Sequence, residues 1–169
     1  MRNGSSLRLS RSIRLIAVLT LAGAVLGACS KSPSSSSSSS GSQPIYNVYV
    51  QQFRFHGMPS SLPAGNFTVD FTNRESFPIN HEMVMIGIPS GKTIKDVMDA
   101  AKAKGPSSED QWLHFGEVPD VFTGATKSQV FDLQPGNYAI ACWQTGKANG
   151  GQNGPPHVAI GMIWPFTVK

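Results

Sequence analysis

An antiparallel β-sandwich with one short helical insertion is the fold this sequence predicts, and three features carry that prediction. Short runs of alternating apolar and polar residues recur, Gly/Pro-rich turns separate them, and only one stretch changes to helical spacing. The first run is Ile45 to Phe55, with Ile45, Val48, Val50 and Phe53 among polar residues and Tyr46 and Tyr49 adding β-propensity. Pro63-Ala64-Gly65 then turns the chain into Asn66 to Thr72, whose alternation puts Phe67, Val69 and Phe71 on one buried face. Glu82 to Ile88 is the next strand, ended by Pro89-Ser90-Gly91. Thr93 to Lys104 is the helix: Ile94, Val97, Met98 and Ala101 recur at helical intervals, Thr93 caps the start and Gly105-Pro106 stops it. Alternation returns at Gln129 to Leu133, and Gln134-Pro135-Gly136-Asn137 turns the chain into Tyr138 to Trp143. Ile160 to Val168 closes the domain.

What precedes the domain predicts export. Arg2, Arg8, Arg11 and Arg14 lead into an apolar run, Leu15 to Leu26, and small residues follow, the pattern of a secretory signal over residues 1–28. Twelve apolar-run positions are too few to span a bilayer, which takes about 20. Leu26-Gly27-Ala28-Cys29 resembles a bacterial lipobox, so Cys29 is expected to be lipidated and to anchor the chain on the periplasmic or cell-surface side of a bacterial membrane. Residues 29–43, with serine unbroken from Ser34 to Ser40, read as a flexible tether, and residues 44–169 as one domain.

Charge and cysteine count then exclude several classes. The chain has 14 Lys and Arg against 10 Asp and Glu, but four of the arginines lie in the signal, which leaves ten of each. No basic cluster with interleaved aromatics remains, so no nucleic-acid partner is expected. With Cys29 lipidated, Cys142 is the one thiol left in an oxidising compartment; it is either buried and inert or bound to metal.

The second reading gains from the order of donors. Cys142 ends the Tyr138 to Trp143 strand, His157 and Met162 occupy the loop that follows, and His81 opens an earlier strand. Two imidazoles and a thiolate in a plane with a weak axial thioether make a blue-copper electron-transfer site, if all four converge. Taken singly, each donor is ordinary: Cys142 as a small buried hydrophobe, His81 and His157 as structural histidines, Met162 as a gap-filler. Met83 and Met85 share a strand face with His81 and read as core rather than as a soft Cu(I) site. His56 and Met58 read as loop, and His114 as packing.

These residues carry a resemblance to small cupredoxins, the plastocyanin and azurin superfamily, and more closely to exported bacterial cupredoxin-like lipoproteins. The matching features are the Asn73 turn before His81, the Gly136-Asn137-Tyr138 approach to Cys142, and His157 with four residues between it and Met162. His81-Glu82 and Gly91-Lys92-Thr93 match as well. The resemblance implies a Greek-key sandwich and one type 1 copper ion held by His81, Cys142, His157 and Met162. It also implies a surface-near His157 as the electron port, with Pro155 and Pro156 around it as an apolar docking patch. One feature departs from the pattern: fourteen residues separate Cys142 from His157, where a few are usual.

The expected function is therefore a membrane-tethered monomer that carries single electrons between transient redox partners. A copper carrier or buffer, or a metal-free structural or interaction module, is the alternative. An enzyme is not expected. A binuclear copper centre needs a second thiolate, a multicopper oxidase needs more imidazoles than His56, His81, His114 and His157 provide, and no G-x-S-x-G or P-loop appears.

Overall fold

The computed structural model describes residues 43–146 and 154–169, and in them the chain runs through nine strands and one α-helix. They are β1 (Ile45–Gln51), β2 (Arg54–His56), β3 (Ser61–Leu62), β4 (Gly65–Asn73), β5 (His81–Gly87), α1 (Ile94–Lys104), β6 (Leu113–Val121), β7 (Thr126–Leu133), β8 (Gly136–Ala141) and β9 (Ile163–Val168). The export signal, Cys29 and all of the tether but Gln43 lie outside the described residues.

Two sheets face one another, one in the order β2-β1-β4-β7 and the other in the order β3-β9-β8-β5-β6. Successive strands cross between the sheets at β2 to β3, β3 to β4, β4 to β5, β6 to β7 and β7 to β8, in a Greek-key sandwich. Most neighbours pair antiparallel, but β1 with β4 and β3 with β9 pair parallel, as crossovers between sheets permit.

The alternation expected of β4 holds: Phe67, Val69 and Phe71 enter the inter-sheet core with Phe131 and Leu133 of β7. β5 is apolar on both faces for a reason visible in the packing. Met83 and Met85 face the inner core, while Val84 and Ile86 face outward under Val97 and Ala101 of α1. β8 and the two residues after it divide the same way, with Tyr138, Ile140 and Cys142 inward and Ala139, Ala141 and Trp143 outward. The helix begins where its cap predicts: Thr93 accepts from the Asp96 amide while the Asp96 side chain takes the Thr93 N–H, a capping box. Gly105 ends it at φ 68°.

Two stretches depart from the sequence reading. Leu113–Val121 is a strand that alternation did not reveal. It lies at a sheet edge, largely exposed, and carries Gly116, Pro119 and acidic residues, as edge strands do. The expected first strand, Ile45 to Phe55, is instead a hairpin that reverses at Gln52-Phe53, and both turn residues are left-handed (φ 53° and 56°). A two-residue hairpin turn of this hand normally uses Asn-Gly. Here the Glu75 carboxyl group supports the strained pair, accepting from the Gln52 amide at 2.9 Å and the Phe53 amide at 2.7 Å.

Gly57, just beyond β2, is also left-handed (φ 85°), and a Cβ there would lie 2.2 Å from the Asn47 carbonyl oxygen. Gly57→Ala is therefore expected to destabilise the protein by about 2–4 kcal/mol, combining the left-handed penalty with a backbone clash. Urea denaturation measures it; wild-type stability in the variant would contradict the close approach.

Candidate metal centre

His81, Cys142 and His157 come together at one end of the sandwich, all three with no exposed surface. His81 opens β5 with its ring inward, after a loop that Asn73 pins. Asn73 donates through Nδ2 to the carbonyls of Ile79 (2.8 Å) and Val121 (2.9 Å), and its Oδ1 accepts from the Glu75 amide (3.1 Å). Cys142 lies one residue past β8. Its segment is held by Glu82, whose carboxyl group accepts from the Trp143 amide (2.7 Å) and from Gln144 Nε2 (3.1 Å).

His157 reaches Cys142 despite the long insertion because the insertion closes at its base. The His157 amide donates to the Gln144 carbonyl (2.9 Å), Thr145 pairs with Pro156, and the Val158 amide donates to the Cys142 carbonyl (2.7 Å). His157 then starts a 3-10 turn, His157–Ile160. Met162 follows that turn. Its amide donates to the His157 carbonyl (3.0 Å), its carbonyl accepts from the Cys142 amide (3.3 Å), and its side chain is buried in the same apolar core as Cys142.

The three donor atoms lie within 4.8 Å of one another. Cys142 Sγ is 3.7 Å from His81 Nδ1 and 3.4 Å from His157 Nδ1. Ligand atoms at bonding distances of about 2.0–2.3 Å in a trigonal arrangement lie about 3.6 Å apart, so the donors already hold spacings that suit a small metal ion. The Nε2 atoms point away. Neither His81 Nε2 nor His157 Nε2 has a hydrogen-bond partner, and Glu75 Oε1 lies 3.5 Å from the former.

Burial, and secondarily the neighbouring His157, pulls the His81 imidazole down to about 3; burial lowers His157 to about 4. Burial, and then the nearby Glu82, raises the Cys142 thiol far above its ordinary value, although the backbone N–H groups of Glu82 and Gln144 point at the sulfur and oppose the shift. At neutral pH the metal-free site is thus two neutral imidazoles and a thiol.

That state has a pH signature. Unfolded histidines titrate near 6.5, so below that pH the unfolded chain binds protons that the folded one refuses. Stability of the metal-free protein should be full above pH about 6.5 and fall by about 1.4 kcal/mol per pH unit for each imidazole as the pH drops toward 4. Urea denaturation at a series of pH values tests this, and a flat profile between pH 7 and 5 would contradict it.

The expectation of a surface-near His157 as electron port is corrected by the structure. His157 is wholly buried, and Phe53 at the hairpin tip packs edge-on against both His157 (4.8 Å between centroids) and His81 (5.4 Å). Pro155 is exposed but Pro156 is buried. Neither Phe53 nor Glu75 was signalled by spacing, since each meets the site only through the turn. Met83 and Met85 are wholly buried in the inner core. Met58 lies in the loop after β2, as expected, with its side chain buried in the same core; His56 instead closes β2, stacked on Tyr49. His114 contacts Glu109 near the surface, outside the three-donor group.

No protein-family model matches the sequence, and no curated protein matches it. Among solved structures the chain is similar to dithionite-reduced auracyanin from the photosynthetic bacterium Roseiflexus castenholzii (20% identity, TM-score 0.53), covering 76% of this chain and 99% of that one. It is likewise similar to auracyanin B (20% identity, TM-score 0.52), covering 75% of this chain and 88% of the other. The fold is cupredoxin-like, and the His81, Cys142, His157 group could hold a metal ion.

Proposed function

We propose that this cupredoxin-like domain is a type 1 copper protein that passes single electrons between exported redox partners. The observation that carries the reading is one buried thiol facing the Nδ1 atoms of two imidazoles at 3.7 and 3.4 Å. Bound copper would supply the one-electron Cu(I)/Cu(II) couple. Cys142, on giving up its proton, would hold the copper as a thiolate, with His81 and His157 already neutral beside it. Met162, anchored by its backbone to both Cys142 and His157, would offer a weak thioether donor. The Glu82 and Gln144 amides aimed at Sγ would tune the potential.

Burial of all three donors favours electron transfer over a carrier, since handing on a metal needs an open coordination face. The contact outward runs over Phe53, half-buried and touching both imidazoles, so redox partners would meet the protein there in brief, small encounters. The proposal places the domain, as a non-enzyme monomer, outside the cytoplasm on a lipid anchor at Cys29. Among the described residues no helix is long and apolar enough to cross a membrane.

The test is addition of one equivalent of Cu(II) to the purified protein, followed by voltammetry. The expected result is a retained copper ion with one reversible one-electron wave. Rapid loss of that copper to a mild chelator would favour the carrier. No copper after washing would overturn the reading in favour of a metal-free module.

A further inference from the structure

We propose that Glu75 is a positioning residue of this centre, one side chain that sets both the His81 ring and the Phe53 turn covering it. This rests on the metal-site reading for what His81 holds, but the geometry is testable without metal. Glu75 is 5% exposed and comes from the loop between β4 and β5. Its amide donates to Asn73 Oδ1, so it is fixed on the same pin that holds the His81 loop.

Both of its oxygens are committed on one side to the turn: Oε2 accepts from the Gln52 amide and Oε1 from the Phe53 amide. Oε1 also lies 3.5 Å from His81 Nε2, a buried ring nitrogen with no hydrogen-bond partner of its own. An acceptor beside Nε2 favours the tautomer with its proton there, and that leaves the Nδ1 lone pair directed at the Cys142 side of the ring, where a metal would bind. The same oxygen holds the backbone of Phe53, whose ring packs on both imidazoles. Turn and ligand are therefore coupled through one atom. Both Nε2 atoms lack a hydrogen-bond partner, but among the described residues only that of His81 has a carboxylate beside it, so His157 provides an internal control.

Glu75→Gln keeps the shape but turns one acceptor into a donor, which must then face the Gln52 amide, the Phe53 amide or His81 Nε2–H. Long-range proton–nitrogen correlation spectra of the metal-free protein read the histidine tautomers, and amide exchange reads the turn. In the wild type His81 is expected with its proton on Nε2. In the variant, exchange at Gln52 and Phe53 should quicken at least tenfold, His81 should become a tautomer mixture, and His157 should not change. Cu(II) affinity should fall by about 10–100-fold, as for other groups that orient a metal-binding histidine.

A wild-type His81 protonated on Nδ1 overturns the proposal outright, and needs no variant that folds. Faster amide exchange with an unchanged His81 tautomer and unchanged affinity also overturns it, leaving Glu75 as a turn support alone. If the wild type retains no copper yet His81 responds as described, the positioning role stands and the copper reading is what fails.

Discussion

Cys142→Ser abolishes the intense visible absorption and the reversible wave expected of the copper-loaded protein, and leaves the sandwich folded. The first half follows from the position of Sγ, which faces both imidazole Nδ1 atoms and is the only sulfur in the three-donor group. A thiolate gives covalent, intense charge transfer to copper; an alkoxide or neutral hydroxyl in its place is harder and binds a soft site weakly. The second half follows from the protonated state of the thiol. A neutral hydroxyl of similar shape replaces a neutral thiol, and it can still use the Glu82 and Gln144 amides and the imidazole nitrogens that surround Sγ. The metal-free variant should therefore stay within about 1–2 kcal/mol of the wild type. Optical titration with Cu(II) checks the first claim and thermal unfolding the second. A variant that kept the band would place the chromophore elsewhere.

Asn73→Ala should be the most damaging single change outside the donors themselves. Asn73 is fully buried, and its side chain satisfies three backbone groups: the carbonyls of Ile79 and Val121 and the amide of Glu75. Each buried group left without a partner costs about 1–3 kcal/mol, so a loss on the order of 4 kcal/mol is expected even after partial relaxation. Urea denaturation of the metal-free protein measures it. The damage should also be directional. The freed carbonyls bracket the loop into His81, so copper affinity should drop further than global stability alone requires. Asn73→Asp should not rescue the protein, because it keeps the acceptor for the Glu75 amide but sets oxygen against two carbonyls. An alanine variant as stable as the wild type would show that the pin is dispensable.

Much of this architecture was legible before the fold. Phe67, Val69 and Phe71 alternate because one face of β4 is core, and that pattern lives within one strand. The helix was legible to its ends, because Thr93, Asp96 and Gly105 act on their own neighbours. β6 escaped because an edge strand that buries only Val118 and Val121 writes no alternation into its sequence. The hairpin at Gln52-Phe53 escaped because neither residue favours a left-handed turn. The support comes from Glu75, more than twenty residues away.

The candidate site divides along the same line. The sequence by itself determined which donors exist, that they come in the order His81, Cys142, His157, Met162, and that strand ends and turns carry them. Only the tertiary structure decided that a thiol and an imidazole with fourteen residues between them would touch, because the insertion is pinched shut at Gln144, Thr145 and Pro156. It decided as well that Phe53 would cover both imidazoles and that Glu75 would stand behind one of them. The physical reason is range. Periodicity and capping act over a few residues and leave a mark in the sequence, whereas contacts between distant segments are set by how two sheets pack and which loops that packing brings together.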